Sequence, residues 1–196
     1  MGSGSGRGSL EVTIYAPCKK HKRPDGIPMS TQFCGCKPII TGHTKTHALQ
    51  TGQWAQIGIV NMLDGATQTI TDTSNATHSV TANSAVSAPT LVAGSGTTTP
   101  AVSDYKLQTQ LSGTSGYTTS VTSGGSLTES GSSGTYTITG TITNGSGGNL
   151  TYAEIGMTVT IGGNVFLILH DLTNGASGYV VSNGGTCAIT YTITNQ

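Results

Sequence analysis

Along residues 135–143, hydrophobic and polar positions alternate with the two-residue period of a β-strand. Tyr136, Ile138, Gly140 and Ile142 share one face, and five threonines share the other. Ile155, Met157, Val159 and Ile161 repeat the pattern. Cys187, Ile189, Tyr191 and Ile193 repeat it again within 186–194. Between these runs, residues 165–169 are continuously apolar, which predicts a central strand buried on both faces or a strand covered by a neighbour. Gly- and Asn-rich turns at 144–149, 162–164 and 183–185 separate the strands. The candidate core is Ile138, Ile142, Val159, Phe166, Leu167, Ile189 and Tyr191.

Upstream the signal weakens. Short strands are predicted over 10–16, 54–61, 66–72 and 77–82, and the Ser-, Ala-, Pro-, Gly- and Thr-rich stretch 83–104 reads as one long loop or crossover. The fold class expected is all-β. Many short strands with Gly turns predict a β-sandwich or jelly-roll-like body over 48–196. An extended N-terminal arm over 1–47 precedes it.

Composition sharpens this picture. Of 196 residues, 35 are Thr, 21 Ser and 29 Gly, and only 8% are charged. Gly and Thr are costly in helices, which argues against a helical bundle or a doubly wound α/β enzyme. No apolar run reaches the length of a membrane-spanning helix, and no signal peptide is expected from the Gly/Ser-rich start. Faces built from Thr favour strands but carry few charges to discourage edge pairing. Self-association is therefore expected, with a trimer favoured.

Net charge is zero, yet it is unevenly spread. Residues 1–47 hold seven basic and two acidic residues, or +5, and residues 48–196 hold one basic and six acidic, or −5. This predicts a basic arm that meets an acidic partner. With Tyr15 and Phe33 as its only aromatic platforms, the arm is not expected to bind nucleic acid.

The arm also holds four of the six prolines and a Cys/His cluster: Cys18, His21, Cys34 and Cys36. Three thiols and an imidazole within 19 residues can close a tetrahedral Zn²⁺ site, a small metal knot that would supply folding energy to a segment with little core. Gly35 lets the backbone bring two sulfurs to one ion. His43 and His47 are alternative ligands. A Cys18–Cys34 or Cys18–Cys36 disulfide and free thiols are the other readings. Cys187 falls on an inward strand face and is expected to be a buried thiol. His170-Asp171 reads as a turn at a strand exit rather than a catalytic dyad. Trp54 reads as a core anchor. Sequons at Asn75, Asn144 and Asn149 are expected by chance in so Thr-rich a chain. No nucleophile elbow or nucleotide-binding glycine loop is present, and no convergent acid/base set points to an enzyme.

Gly94-Ser-Gly-Thr-Thr-Thr-Pro-Ala-Val-Ser-Asp-Tyr105 resembles the G-T-G-T-x-x-P-x-x-x-D loop of small structural proteins of tailed bacteriophages. The runs 137–144, 154–159, 167–171 and 181–193 are similar to their closing strands. The resemblance covers about residues 90–196, leaves out the Cys/His arm and carries no catalytic residues. It implies a virion component: a capsid cement or decoration protein that binds the major capsid protein, or alternatively a head-fibre or tail accessory module that binds a cell-surface glycan.

Overall fold

The computed structural model describes residues 7–15, 17–22, 28–30, 40–44, 49–50, 67–81, 87–111, 117–130 and 133–195, with side chains described for 67–81, 87–111, 118 and 137–192. These residues are all-β. The strands are β1 (Arg7–Tyr15), β2 (Pro17–Lys22), β3 (Pro28–Ser30), β4 (Ile40–Thr44), β5 (Leu49–Gln50), β6 (Gln68–Thr71), β7 (Thr77–Val80) and β8 (Thr90–Gly94). They continue with β9 (Tyr117–Ser130), β10 (Ser133–Asn144), β11 (Leu150–Tyr152), β12 (Glu154–Ile161), β13 (Asn164–Leu172), β14 (Tyr179–Val181) and β15 (Thr186–Asn195).

All pairings are antiparallel. A five-stranded sheet runs β4-β1-β15-β10-β9, and a four-stranded sheet runs β5-β13-β12-β8. Three two-stranded sheets pair β2 with β3, β6 with β7 and β11 with β14.

The alternation in β10 and β15 reports burial faithfully. Ile138, Ile142, Cys187, Ile189 and Tyr191 are buried, while the intervening threonines are half-buried or exposed. Both sheets feed one hydrophobic cluster, which also takes Leu91 and Ala93 from β8, Ile155, Met157, Val159 and Ile161 from β12, and Phe166 and Leu169 from β13. Every residue of the candidate core is buried. The apolar run 165–169 lies within β13, which pairs with β12 along its length and with β5 at Leu169 and His170; Phe166 to Leu169 are buried, as expected of a covered strand, whereas Val165 is exposed.

Three expectations need correction. First, 83–104 is not one loop. Thr90–Gly94 is a strand paired to β12, and Leu91, Val92 and Ala93 are all buried. Five residues with apolar cover on both faces carry no alternation, and the Ser/Pro/Gly context hides them. Second, β12 is buried on both faces rather than one. Its second face is covered by residues 95–111, whose Leu107 packs with Val92 and Leu167 in a second cluster. Third, His170 and Asp171 do not form a turn. Both lie within β13 and are buried.

β1 is paired along its whole length with β15, from Arg7 opposite Thr194 to Tyr15 opposite Thr186, and β4 pairs on its other side. The stretch 10–15 is thus engaged within this chain's own sheet. The strand expected over 54–61, including Trp54, lies outside the described residues.

Candidate functional site

The side chains with the most chemical potential among the described residues meet on the second face of the four-stranded sheet. The pairing of β12 with β13 sets Gly156 opposite His170 and Glu154 opposite Leu172. Glu154 and His170 therefore project to the same side, where residues 95–111 cross. Both are fully buried, whereas the Asp104 side chain keeps about 20% of its exposure.

His170 is flanked by carboxylates at both ring nitrogens. Nε2 lies 3.0 Å from Glu154 Oε2 and Nδ1 lies 2.8 Å from Asp104 Oδ2. Glu154 also takes three backbone donors: Oε1 accepts from the amides of Gly96 (3.1 Å) and Thr109 (2.8 Å), and Oε2 from that of Gln108 (3.0 Å). Asp104 Oδ2 accepts from the Ala101 amide at 2.8 Å. An ionised carboxylate can only accept, so an imidazole between two of them must donate from both nitrogens, which requires the imidazolium.

The charges respond accordingly. Burial would raise the Glu154 carboxyl, but His170 and the three amides outweigh it and hold it below its ordinary value. Burial would lower His170, but the hydrogen bonds and charges of Glu154 and Asp104 outweigh it and raise the imidazole.

Two glycines make the approach possible. A Cβ at Gly94 would collide with the Glu154 carboxylate and stand 2.6 Å from the Thr109 carbonyl. A Cβ at Gly96 would stand 2.6 Å from Glu154 Oε1. Gly94, Gly96 and Asp104 are the Gly-x-Gly and Asp positions of the loop motif, and all three converge on Glu154 and His170. The sequence held this signal as a motif, but nothing in its spacing tied the motif to residues on β12 and β13.

Chemically this is a clamp. Both nitrogens of His170 and both oxygens of Glu154 are occupied, and among the described residues no hydroxyl or thiol nucleophile is bonded to His170. Cys187 lies buried in the main core, and burial pushes its thiol far up, which makes it inert. A second acid cluster closes the β6–β7 hairpin. Asp72 Oδ1 accepts from the Ser74 amide (2.9 Å), the Ser74 hydroxyl (2.6 Å) and the Ala76 amide (2.9 Å), and Oδ2 pairs with His78 Nε2 at 2.9 Å. Asn144, one of the sequon asparagines, is fully buried and donates from Nδ2 to the carbonyls of Gly148 and Val181.

Of the expected metal ligands, Cys18 and His21 lie on β2, whose ladder with β3 is irregular between Cys18 and Lys22. Cys34 and Cys36 lie outside the described residues, as does His47; His43 lies on β4, opposite Glu11 of β1. Among the described residues no group of His, Cys, Asp and Glu is arranged to hold a metal ion, and no helix is long and apolar enough to cross a membrane.

No protein-family model matches the chain, and no curated protein or solved structure is detectably similar to it.

Proposed function

We propose that the chain is a structural protein of a virion, a capsid cement or decoration subunit that binds the major capsid protein and stabilises the shell. The observation that carries this reading is how the buried polar chemistry is used. Glu154, His170 and Asp104 commit their hydrogen bonds to one another and to the backbone of 96–109, which serves a fixed surface shape rather than turnover. The segment fixed in this way is the one whose sequence resembles the phage structural loop.

In this reading the two larger sheets are the layers of a β-sandwich or jelly-roll-like body, and it acts as a homo-oligomer, with a trimer favoured. The basic stretch from Lys19 to Lys45 does the docking, with structural Zn²⁺ held by Cys18, His21, Cys34 and Cys36. Lys19, Lys20 and Lys22 steer the approach to an acidic shell more than they add affinity, since exposed ion pairs are each worth about 0–1 kcal/mol. Residues 10–15 do not donate a strand to the shell in this reading, because their backbone is already paired with β15, and 10–14 also with β4. The chain is not proposed to be an enzyme or to bind nucleic acid or membrane.

The test is to purify particles and count this chain against the major shell subunit. A copy number comparable to that of the shell is expected. A copy number set by a single vertex would instead favour the head-fibre or tail accessory reading.

A further inference from the structure

We propose that Glu154, His170 and Asp104 form a proton-dependent latch. The imidazolium holds the segment 96–106 against the sheet, and loss of its proton releases the Asp104 side first. The inference rests on the geometry of the clamp and does not depend on the virion reading.

His170 can hold two carboxylates only while both ring nitrogens carry protons. Neutral imidazole keeps one N–H and turns a lone pair toward the other carboxylate. The two arms then differ in what else holds them. Glu154 is fully buried and retains three backbone donors. Asp104 is partly exposed and belongs to the crossing segment, and its side chain has, among the described residues, a single further partner, the Ala101 amide. Water can take over Asp104 at little cost, so this arm yields.

Among the described residues the surroundings offer no substitute charge. β12 contributes Glu154, and the crossing segment contributes Asp104. β8 and β5 carry no titratable residue. On β13 itself Asp171 projects to the opposite face, where its charge acts on Tyr191. Lys106 and Tyr105 follow Asp104 in the segment, and the Lys106 ammonium stands 5.7 Å from the Tyr105 ring centre.

The sign follows from linkage. The folded protein raises the His170 imidazole above its ordinary value of 6.5. The latch therefore holds fully below that value and is lost as pH rises through the raised one. The segment carries Val102, which is 64% exposed, and Lys106, the one lysine or arginine of residues 48–196. The latch thus decides how both are presented.

Lys106 also supplies the assay, because Lys106–Leu107 is the only tryptic bond in residues 48–196 and Leu107 is buried. Initial trypsin cleavage at this bond is measured in the full chain, divided at each pH by cleavage of a free peptide of residues 101–111. In the wild type the ratio is expected to rise about tenfold or more from about pH 6.5 to about pH 9.5, while the near-ultraviolet signal of the buried tyrosines holds. In Asp104→Ala, which removes the acceptor, the ratio is already high at the lower pH. Nitrogen NMR of His170 should show both ring nitrogens protonated at about pH 6.5. A ratio independent of pH, an Asp104→Ala variant that cuts like the wild type, or a neutral imidazole at the lower pH would each overturn the latch. So would loss of the tyrosine signal in step with cleavage, since opening would then be global.

Discussion

Glycine 94 stands where backbone and carboxylate meet. A methyl group there would push into Glu154 and the Thr109 carbonyl, neither of which has a flexible end free to move. Gly94→Ala is expected to cost about 1–3 kcal/mol or more, as overpacking does. Gly148→Ala, with no atom within 4 Å of the added Cβ, should stay within about 0.5 kcal/mol of the parent. Urea unfolding of the two variants side by side tests this contrast. Asp72 supplies a second prediction at this scale. The Ser74 hydroxyl first, then the Ala76 amide, with His78 and the Ser74 amide, hold its carboxyl at about 2 against an ordinary 3.8. A lowered carboxyl stabilises the fold above the ordinary value and loses that contribution as pH falls through the lowered one. Wild type should therefore melt higher than Asp72→Asn at neutral pH, and the gap should close between about pH 4 and about pH 2. A gap that persisted at the acid end would mean that the turn is held by shape alone.

Strands differ in how openly they declare themselves. β10 and β15 were legible because one face meets the core and the other carries threonines that, Thr186 at the start of β15 aside, are half-buried or exposed, so burial and polarity alternate together. The second face of β12 and the strand β8 were not legible, for one common cause: residues 95–111 roof their outer face, and Val92, Gly156 and Thr158 are buried where a two-layer picture expects exposure. The roof depends on Leu107, which fills the space between Val92 and Leu167 above Gly156. Leu107→Ala is expected to destabilise by about 2–5 kcal/mol. Hydrogen exchange should show the loss of protection concentrated in 91–111 and β12, with β10 and β15 opening only in the global transition. The clamp itself was not legible. Its members are 50 and 16 positions apart in the chain, and only the β12–β13 register and the return of the crossing segment bring them together.

For the molecule as a whole, the charge split along the sequence is not the charge split of its surface. Four of the six acids in residues 48–196 are Asp72, Asp104, Glu154 and Asp171, which are buried or engaged in internal hydrogen bonds. A −5 body is thus much less acidic to an approaching partner than its sequence suggests. The zinc reading is tested at this scale. Metal analysis of purified protein should give about one zinc per chain, and Cys36→Ser should lose it. A structural zinc is worth on the order of 10 kcal/mol to a segment without its own core, so the variant should become protease-sensitive within 17–47. Wild-type protein that carried no metal and weighed two hydrogens less than its sequence would make the segment a disulfide loop.

β15 lies between β1 and β10 in the five-stranded sheet. During synthesis from the N-terminus, β1 and β10 are made first and must wait, each with an open edge, for the strand that joins them. The pairing of Arg7 with Thr194 closes a loop of nearly the whole chain, so the largest sheet is also the most non-local one. Folding dominated by such contacts is slow, in the range of milliseconds to seconds for small β-domains. Stopped-flow refolding should show a single slow phase in which the β1–β15 and β10–β15 pairs appear together. A chain cut before Thr186 should hold neither, and its exposed threonine edges would then be free to pair with those of other chains.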